Sequence, residues 1–161
     1  MATPALAEEV RIAPGTSSDL DAVMAVMESA FGNRFGEAWT RSQLSGILPM
    51  TGVDLTIAAD RTSAQVLGFS LTRTVADESE LLLIAVHPDR HRHGIGRKLL
   101  DQFLAAANSS GVGRAHLEVR DGNPAIGMYS AVGFRPVGRR SNYYLGSDGQ
   151  RYDAITLACQ L

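Results

Sequence analysis

The sequence predicts a single α+β domain built around a mixed β-sheet. Three observations support this fold class: apolar residues alternate in several short stretches, the early stretches follow one another as in antiparallel meanders, and the later ones alternate with amphipathic helices. A chain of 161 residues has the size of one domain with one core. We therefore expect one domain over residues 9–161, preceded by a loose tail over residues 1–8.

The composition excludes several classes of function. A net charge of −2 is not typical of a protein that coats nucleic acid, so we expect no nucleic-acid partner. No stretch approaches the length of a membrane span, and the first nine residues lack the basic and apolar segments of a signal peptide, which predicts a cytoplasmic protein with no membrane partner. The only cysteine, Cys159, excludes an internal disulfide and a cysteine-based zinc cluster.

In the first half of the chain, strands are predicted at residues 10–13, 53–59 and 66–75. Apolar residues at helical spacing predict a helix over residues 20–31, capped by Ser17 or Ser18 and ended by the glycines of the segment 32–36. Thr40, followed three residues later by Gln43, has the pattern of a capping box and predicts a second, short helix.

In the second half, residues 80–87 form a strand whose middle is almost continuously apolar, as a buried central strand would be. The clearest helix covers residues 95–109 and stops before Gly111. A strand over residues 114–120 follows, and Asn123-Pro124 starts a helix that ends at Gly133. Residues 134–144 and 153–159 are predicted to form a final hairpin.

The most informative motif connects the central strand to the clearest helix. The apolar strand stops at Pro88, and a basic loop with a Gly-x-Gly step opens the helix: His91-Arg92-His93-Gly94-Ile95-Gly96-Arg97. Glycines let backbone approach a ligand, and a helix N-terminus favours anions, so this loop predicts a phosphate or pyrophosphate site. The P-loop spacing is absent, and Leu99 replaces the third glycine of the dinucleotide motif. The alternative is a glycine-containing turn with a solvated basic loop.

With these elements placed, the chain resembles the GNAT family of acetyl-CoA-dependent N-acetyltransferases. The family motif Gln/Arg-x-x-Gly-x-Gly/Ala corresponds to residues 91–96, with His91 in the leading position. The later family pattern corresponds to Asn123, Tyr129 and Gly133-Phe134. The resemblance implies a GNAT-like fold of about seven strands and four helices, acetyl-CoA as co-substrate, and no metal.

Within this family, four segments resemble the RimI subfamily of ribosomal-protein-alanine N-acetyltransferases. They are Ala38-Trp39-Thr40, residues 81–96, Leu117-Glu118-Val119-Arg120, and Arg140-Ser141-Asn142-Tyr143-Tyr144 with the residues that follow. One residue fewer than usual separates Glu118 from Tyr129, so the match of Asn123 to the family asparagine is open by one position.

The resemblance assigns roles to individual residues. Glu118 would be the general base and Tyr129 the general acid. The backbone of Ile84, Ala85 and Val86 would bind pantetheine together with Asn123, and the pyrophosphate would lie against His91, Arg92, His93, Gly94, Ile95, Gly96 and Arg97. The acceptor groove would be lined by Trp39, Tyr143 and Tyr144.

Each of these residues also has a structural interpretation. Glu118 is then a salt-bridged strand carboxylate, Tyr129 a packed helix tyrosine, and Asn123 an ordinary helix cap. Trp39 is then a core residue, and the paired tyrosines pack across strands. His87 and His116 without further clustered ligands are weak evidence for a metal.

Three functions remain open from the sequence. The first is acetylation of the N-terminal peptide of a small-subunit ribosomal protein that begins with alanine, which the C-terminal hairpin favours. The second is acetylation of a small-molecule amine or amino acid. The third is a regulatory module that binds acetyl-CoA without catalysis, which the presence of both Glu118 and Tyr129 disfavours.

Overall fold

A computed structural model describes residues 9–161; the predicted tail over residues 1–8 lies outside the described part. Within residues 9–161 the structure has seven strands and four α-helices. In chain order they are β1 (Val10–Pro14), α1 (Leu20–Phe31), α2 (Arg41–Ile47), β2 (Val53–Asp60), β3 (Val66–Val75), β4 (Glu78–Val86), α3 (Ile95–Ser109), β5 (Arg114–Arg120), α4 (Ile126–Ala131), β6 (Arg135–Leu145) and β7 (Arg151–Gln160). No helix in this part of the chain is both long and apolar enough to cross a membrane.

The seven strands form one sheet in the order β1-β2-β3-β4-β5-β7-β6. The pair β4–β5 is parallel, and the other five neighbouring pairs are antiparallel. The predicted α+β fold with a mixed sheet of about seven strands and four helices is therefore confirmed. The last strand, β7, lies between β5 and β6, so the C-terminal hairpin extends the sheet from β5.

Helices cover both faces of the sheet because successive strand residues point to opposite sides. On β3, Phe69 and Leu71 are fully buried in the core that contains α1. Ser70 and Thr72 on the same strand face a groove under α3. A second core joins α3 to β5 and α4, with Phe103, Leu117 and Phe134 among its buried residues.

The predicted cap of the first helix and the predicted start of the last helix are wrong, whereas the predicted residues 20–31 agree with α1. Neither Ser17 nor Ser18 caps the first helix: the Thr16 hydroxyl accepts from the Ser18 N–H at 3.2 Å and begins a 3₁₀ turn that leads into α1. The last helix begins at Ile126 and not at Asn123-Pro124, because the Asn123 side chain closes a turn by accepting from the Ala125 N–H at 2.9 Å.

The capping box predicted for α2 is confirmed. The Gln43 N–H donates to the Thr40 hydroxyl at 3.2 Å, and the Thr40 N–H donates to the Gln43 side chain at 2.8 Å. The reciprocal bonds satisfy two backbone donors at the start of the helix and fix the end of the loop between α1 and α2.

Candidate active site

The centre of the site is a fork between β4 and β5. The two strands pair only near their N-terminal ends, where residues 78–81 lie beside residues 114–117. Leu82 lies at a bulge between β3 and β4, and residues 83–86 stay paired with β3 on their other side. Their edge toward β5 lies outside the ladder between these strands, so backbone groups on this edge can pair with an extended ligand that enters the fork.

The basic loop lies at the C-terminal end of β4. Arg92 and Gly94 both have left-handed backbone, with φ of 65° and 77°. Left-handed residues turn successive N–H groups toward one side and form a concave site for anions. Gly94 is also the N-cap of α3 and has no side chain, so it leaves the first N–H groups of this helix without a side-chain cap from its own position.

His91 attaches this loop to β4. Its Nε2 lies 2.9 Å from the Val86 carbonyl oxygen, within hydrogen-bond distance. The contact joins the start of the loop to the last residue of the strand whose free edge borders the fork. The loop and the strand edge are therefore held as one surface that can take a phosphate-bearing extended ligand.

Leu117 is the last residue of β5 that pairs with β4. Glu118 follows it directly and therefore lies where the two strands separate. Its side chain is 16 % exposed. Oε1 lies 2.6 Å from Nε of Arg140, while Oε2 is buried and has no hydrogen-bond partner among the described residues. The site therefore contains a mostly buried carboxylate with one oxygen free to accept a proton.

Tyr129 lies on α4, is only 5 % exposed, and belongs to the buried cluster that contains Leu81 and Leu117. Its ring packs edge-to-face on Phe134, with centroids 6.0 Å apart. Burial raises the pKa of the Tyr129 hydroxyl above its ordinary value, and the nearby Tyr144 and Glu37 raise it further. The hydroxyl therefore keeps its proton at neutral pH and is available as a donor.

Glu37, in the loop between α1 and α2, is a site residue that the sequence did not predict. Its Oε1 lies 3.3 Å from Nε of Arg120, with both side chains nearly buried. Its Oε2 accepts from the Asn123 amide at 2.9 Å. The Arg120 guanidinium lies 3.7 Å from the ring centroid of Phe35. No local pattern marks Glu37, because its partners come from β5 and the turn after it.

The same loop is closely fitted to the turn of the C-terminal hairpin. Gly36 has φ +71°, and a Cβ there would overlap the Leu145 carbonyl oxygen. The Ser147 N–H donates to the Asn33 carbonyl at 3.2 Å. The ring of Phe35 packs edge-to-face on Tyr152 at 5.1 Å. The loop and the hairpin therefore form one continuous wall over the C-terminal half of the sheet.

The three residues predicted to line the acceptor groove lie in different surroundings. Tyr143 is 50 % exposed and packs edge-to-face on Tyr144 at 5.0 Å. Burial raises the pKa of the Tyr144 hydroxyl, and the charges of Glu37 and Glu118 raise it further. Trp39 instead packs against the core under α1 and lines a shallow pocket with residues of that helix.

The structure thus brings most of the predicted site residues to one end of the sheet. Glu118, Tyr129 and Tyr144 lie around the fork, and the basic loop lies at its β4 side. Asn123 also lies here, but both ends of its amide are engaged, by Ala125 and by Glu37. Within residues 9–161, no three His, Cys, Asp or Glu side chains are arranged to hold a metal ion. The roles of these residues stay predictions.

Comparison with known proteins identifies the family. Residues 53–136 match the model of the acetyltransferase (GNAT) domain. This stretch is more than half of the chain and contains β4, the basic loop, β5 and α4. The chain belongs to the GNAT acetyltransferase family, and the resemblance stated from the sequence is confirmed.

Within this family, the chain is similar to two curated relatives and to one solved structure of the same named activity. The chain is 44 % identical over 91 residues to the [ribosomal protein bS18]-alanine N-acetyltransferase of Escherichia coli K12, and 38 % identical over 97 residues to that of Haemophilus influenzae. These matches cover 56 % and 60 % of this chain, and 61 % and 66 % of the two relatives. The crystal structure of the ribosomal-protein-S18-alanine N-acetyltransferase from Escherichia coli superposes with a TM-score of 0.84 at 30 % identity, over 94 % of this chain and 93 % of that one.

Proposed function

We propose that this protein transfers the acetyl group of acetyl-CoA to the N-terminal alanine of ribosomal protein bS18. The observation that carries the proposal is the carboxylate of Glu118 at the fork, with one buried oxygen free, beside an anion-binding loop and an open strand edge. The two curated relatives bear this activity in their names.

The fork fits the shape and chemistry of acetyl-CoA. The pyrophosphate would rest on the loop over residues 92–97, where left-handed residues and the α3 N-terminus present N–H donors. The pantetheine arm would pair with the edge of β4 at Ile84, Ala85 and Val86, as an added strand would. This places the thioester between β4 and Glu118, with the Val86 N–H as the donor to the carbonyl oxygen.

Acetyl transfer then needs an amine nucleophile and a protonated leaving group. The α-amine nitrogen attacks the thioester carbonyl carbon, the new C–N bond forms, and the C–S bond breaks. The proton of the amine moves to Oε2 of Glu118, and Tyr129 supplies a proton to the departing thiolate. Burial raises the pKa of the Tyr129 hydroxyl, so it holds its proton at neutral pH. After transfer, Tyr129 regains a proton from solvent and Glu118 releases to solvent the one it took, which restores both residues.

The wall formed by the loop after α1 and the C-terminal hairpin is suited to an extended peptide. Tyr143 and Tyr144 offer aromatic surface, and Glu118 gives a negative charge for the α-ammonium group. A small pocket for the first side chain would favour alanine. A methylene added to or removed from such a pocket changes the free energy by about 1–3 kcal/mol, so selectivity over serine or glycine should be graded.

The test compares peptides with free amines under identical conditions. Peptides that carry the N-terminal sequence of bS18 with Ala, Ser, Leu or Phe first are incubated with acetyl-CoA beside spermidine and free amino acids, and thiol release is followed. We expect the Ala peptide to have the highest kcat/KM and the Leu and Phe peptides to react poorly. A free amine that reacts faster than every peptide would assign the protein to the small-molecule acetyltransferases.

A further inference from the structure

We propose that Arg140 is a positioning residue for the general base: it holds Oε1 of Glu118, so that Oε2 is the oxygen that takes the amine proton. The inference rests on the proposed function, in which Glu118 acts as the base. It adds a residue of β6 in the C-terminal hairpin as one that acts through Glu118.

The two oxygens of Glu118 have unlike surroundings. Oε1 lies 2.6 Å from Nε of Arg140, a short contact of the kind formed by charge-assisted hydrogen bonds. Oε2 is buried and lacks a hydrogen-bond partner within residues 9–161. A buried acceptor without a partner is energetically costly, so such an atom in a native structure calls for an explanation. The explanation that we infer is that Oε2 accepts a hydrogen bond only when the substrate amine is bound.

Small residues on the sheet let Arg140 reach across it. In register, Glu118 lies beside Thr156 of β7, which lies beside Gly138 of β6. The next position on this face places Arg140 of β6 beside Ala154 of β7. Neighbouring strands are about 4.8 Å apart, so the arginine must extend across β7 to reach β5. The small side chains of Thr156 and Ala154, and the absence of one at Gly138, leave room on the sheet for the long arginine side chain.

A bulge directly after Arg140 fixes its place on the strand. β6 spans four residue steps from Arg140 to Tyr144, while the partner strand spans two from Ala154 to Tyr152. Asn142 within this bulge is left-handed, with φ +55°, and its N–H donates to Oδ1 of Asp153 at 2.9 Å. Bulges of this kind redirect side chains at functional sites.

The bulge also joins Arg140 to the aromatic pair of the proposed acceptor groove. Its guanidinium carbon lies 5.6 Å from the ring centroid of Tyr143. A peptide that settles on the hairpin therefore meets the same segment that orients Glu118. Arg140 therefore connects the orientation of Glu118 to the surface on which the acceptor peptide would bind.

The contact matters for orientation more than for stability. The Arg140 side chain is 61 % exposed, and exposed ion pairs contribute little to the free energy of folding. Arg140→Gln should therefore fold normally. Arg135→Gln is the matched control, because Arg135 lies on the same exposed strand but bonds to the carbonyls of Ser130 and Phe134, away from Glu118.

The experiment is a double-variant cycle on the full chain with acetyl-CoA and the bS18 peptide. We expect Arg140→Gln to lower kcat about tenfold to a hundredfold, the range that a small misplacement of a catalytic group produces. The dissociation constant of acetyl-CoA should stay unchanged, and Arg135→Gln should match the wild type. In the Glu118→Gln background, Arg140→Gln should cause no further loss, because it acts through the missing carboxylate.

A second readout separates positioning from structure. In Arg140→Ala, added methylguanidinium should restore part of kcat, whereas it should not change Arg135→Ala. Additive losses in the double variant, or a wild-type kcat for Arg140→Gln, would overturn the inference and leave the proposed function intact. A wild-type enzyme that does not acetylate the peptide would overturn the proposed function before any variant is compared.

Discussion

At the scale of single residues, the candidate chemistry depends on Glu118, which lies where β4 and β5 separate. We expect Glu118→Gln to lower kcat/KM about 10²- to 10⁴-fold at neutral pH, because it keeps the shape of the side chain and removes the base. Acetyl-CoA binding should be nearly unchanged. The loss should shrink as pH rises past about 8, where the α-amine loses its proton without help. A pH-rate profile of variant and wild type checks this, and coincident profiles would make Glu118 a structural carboxylate.

Tyr129 carries the second prediction at this scale. Its raised pKa, due first to burial and then to Tyr144 and Glu37, keeps the hydroxyl protonated through the physiological range. Tyr129→Phe should lower kcat by roughly tenfold or more at pH 7, since the thiolate then leaves without a donor. The deficit should narrow above about pH 8.5, where a free thiolate needs no proton. Steady-state kinetics from pH 6.5 to 9.5 test this, and an unchanged kcat throughout would assign Tyr129 to packing alone.

Some residues of the site could be predicted from the sequence and others could not. Glu118 could be singled out because strand alternation and a family segment coincide there. Glu37 and Arg140 could not, since their partners Arg120 and Glu118 come from distant parts of the chain. Neither the bulge that places Arg140 nor the ion pair that buries Glu37 leaves a local pattern of residue types.

At the scale of elements, the basic loop depends on the left-handed backbone of Gly94. A Cβ at this position would meet no other atom, so Gly94→Ala tests backbone conformation alone. A left-handed non-glycine residue costs about 1–2 kcal/mol, and the strain should weaken acetyl-CoA binding severalfold. Gly46→Ala in α2 is the control, because its added Cβ also has open space and its backbone is helical. Calorimetric titration measures the acetyl-CoA affinity of both variants. Equal affinities would show that this loop does not bind the cofactor.

The wall formed by the loop after α1 and the hairpin gives a further prediction. Gly36→Ala combines a left-handed φ with overlap on the Leu145 carbonyl, so it should push the loop away from the hairpin. We expect a higher peptide KM and an unchanged acetyl-CoA affinity. Gly32→Ala has the unfavourable φ without the overlap, and it should affect the peptide KM less. Equal effects of the two variants would show that the close approach of loop and hairpin does not matter for the acceptor.

The elements themselves were largely accessible from the sequence. The predicted bounds of α3 and β5 coincide with those observed, because strong periodicity and flanking glycines mark both. The cap of α1 and the start of α4 were misplaced. In each case a side chain closes a turn before the helix, at Thr16 and at Asn123, and a turn of this kind uses the same residue types as a helix cap.

At the scale of the whole molecule, burial of Tyr129 links stability to pH. In the unfolded chain its hydroxyl ionises near pH 10, whereas the pKa of the folded state is higher. The stabilisation is therefore fully present below about pH 10 and is lost as the pH rises further. The free energy of unfolding, measured by urea titration at pH 8 and pH 10.5, should fall more for the wild type than for Tyr129→Phe. Equal falls would mean that Tyr129 does not carry this dependence.

The arrangement of the strands is the part of the fold that the sequence does not determine locally. Alternation predicts that residues 114–120 and the final hairpin are strands, but it does not predict that β7 pairs with β5 or that β4 and β5 part after Leu81. Both features depend on which apolar faces meet in the finished core. The fork, and with it the free edge that we assign to acetyl-CoA, is a property of the assembled sheet.

Acetylation of the intact acceptor protein is the decisive test of the proposed function. Purified bS18 with an unmodified N-terminal alanine is incubated with acetyl-CoA and the enzyme, and the modified residue is located by tandem mass spectrometry, with Glu118→Gln as the matched control. We expect one acetyl group, on the α-amine of the alanine, that forms much more slowly with the variant. Acetylation confined to lysine side chains, or equal rates for the two enzymes, would contradict the proposed function.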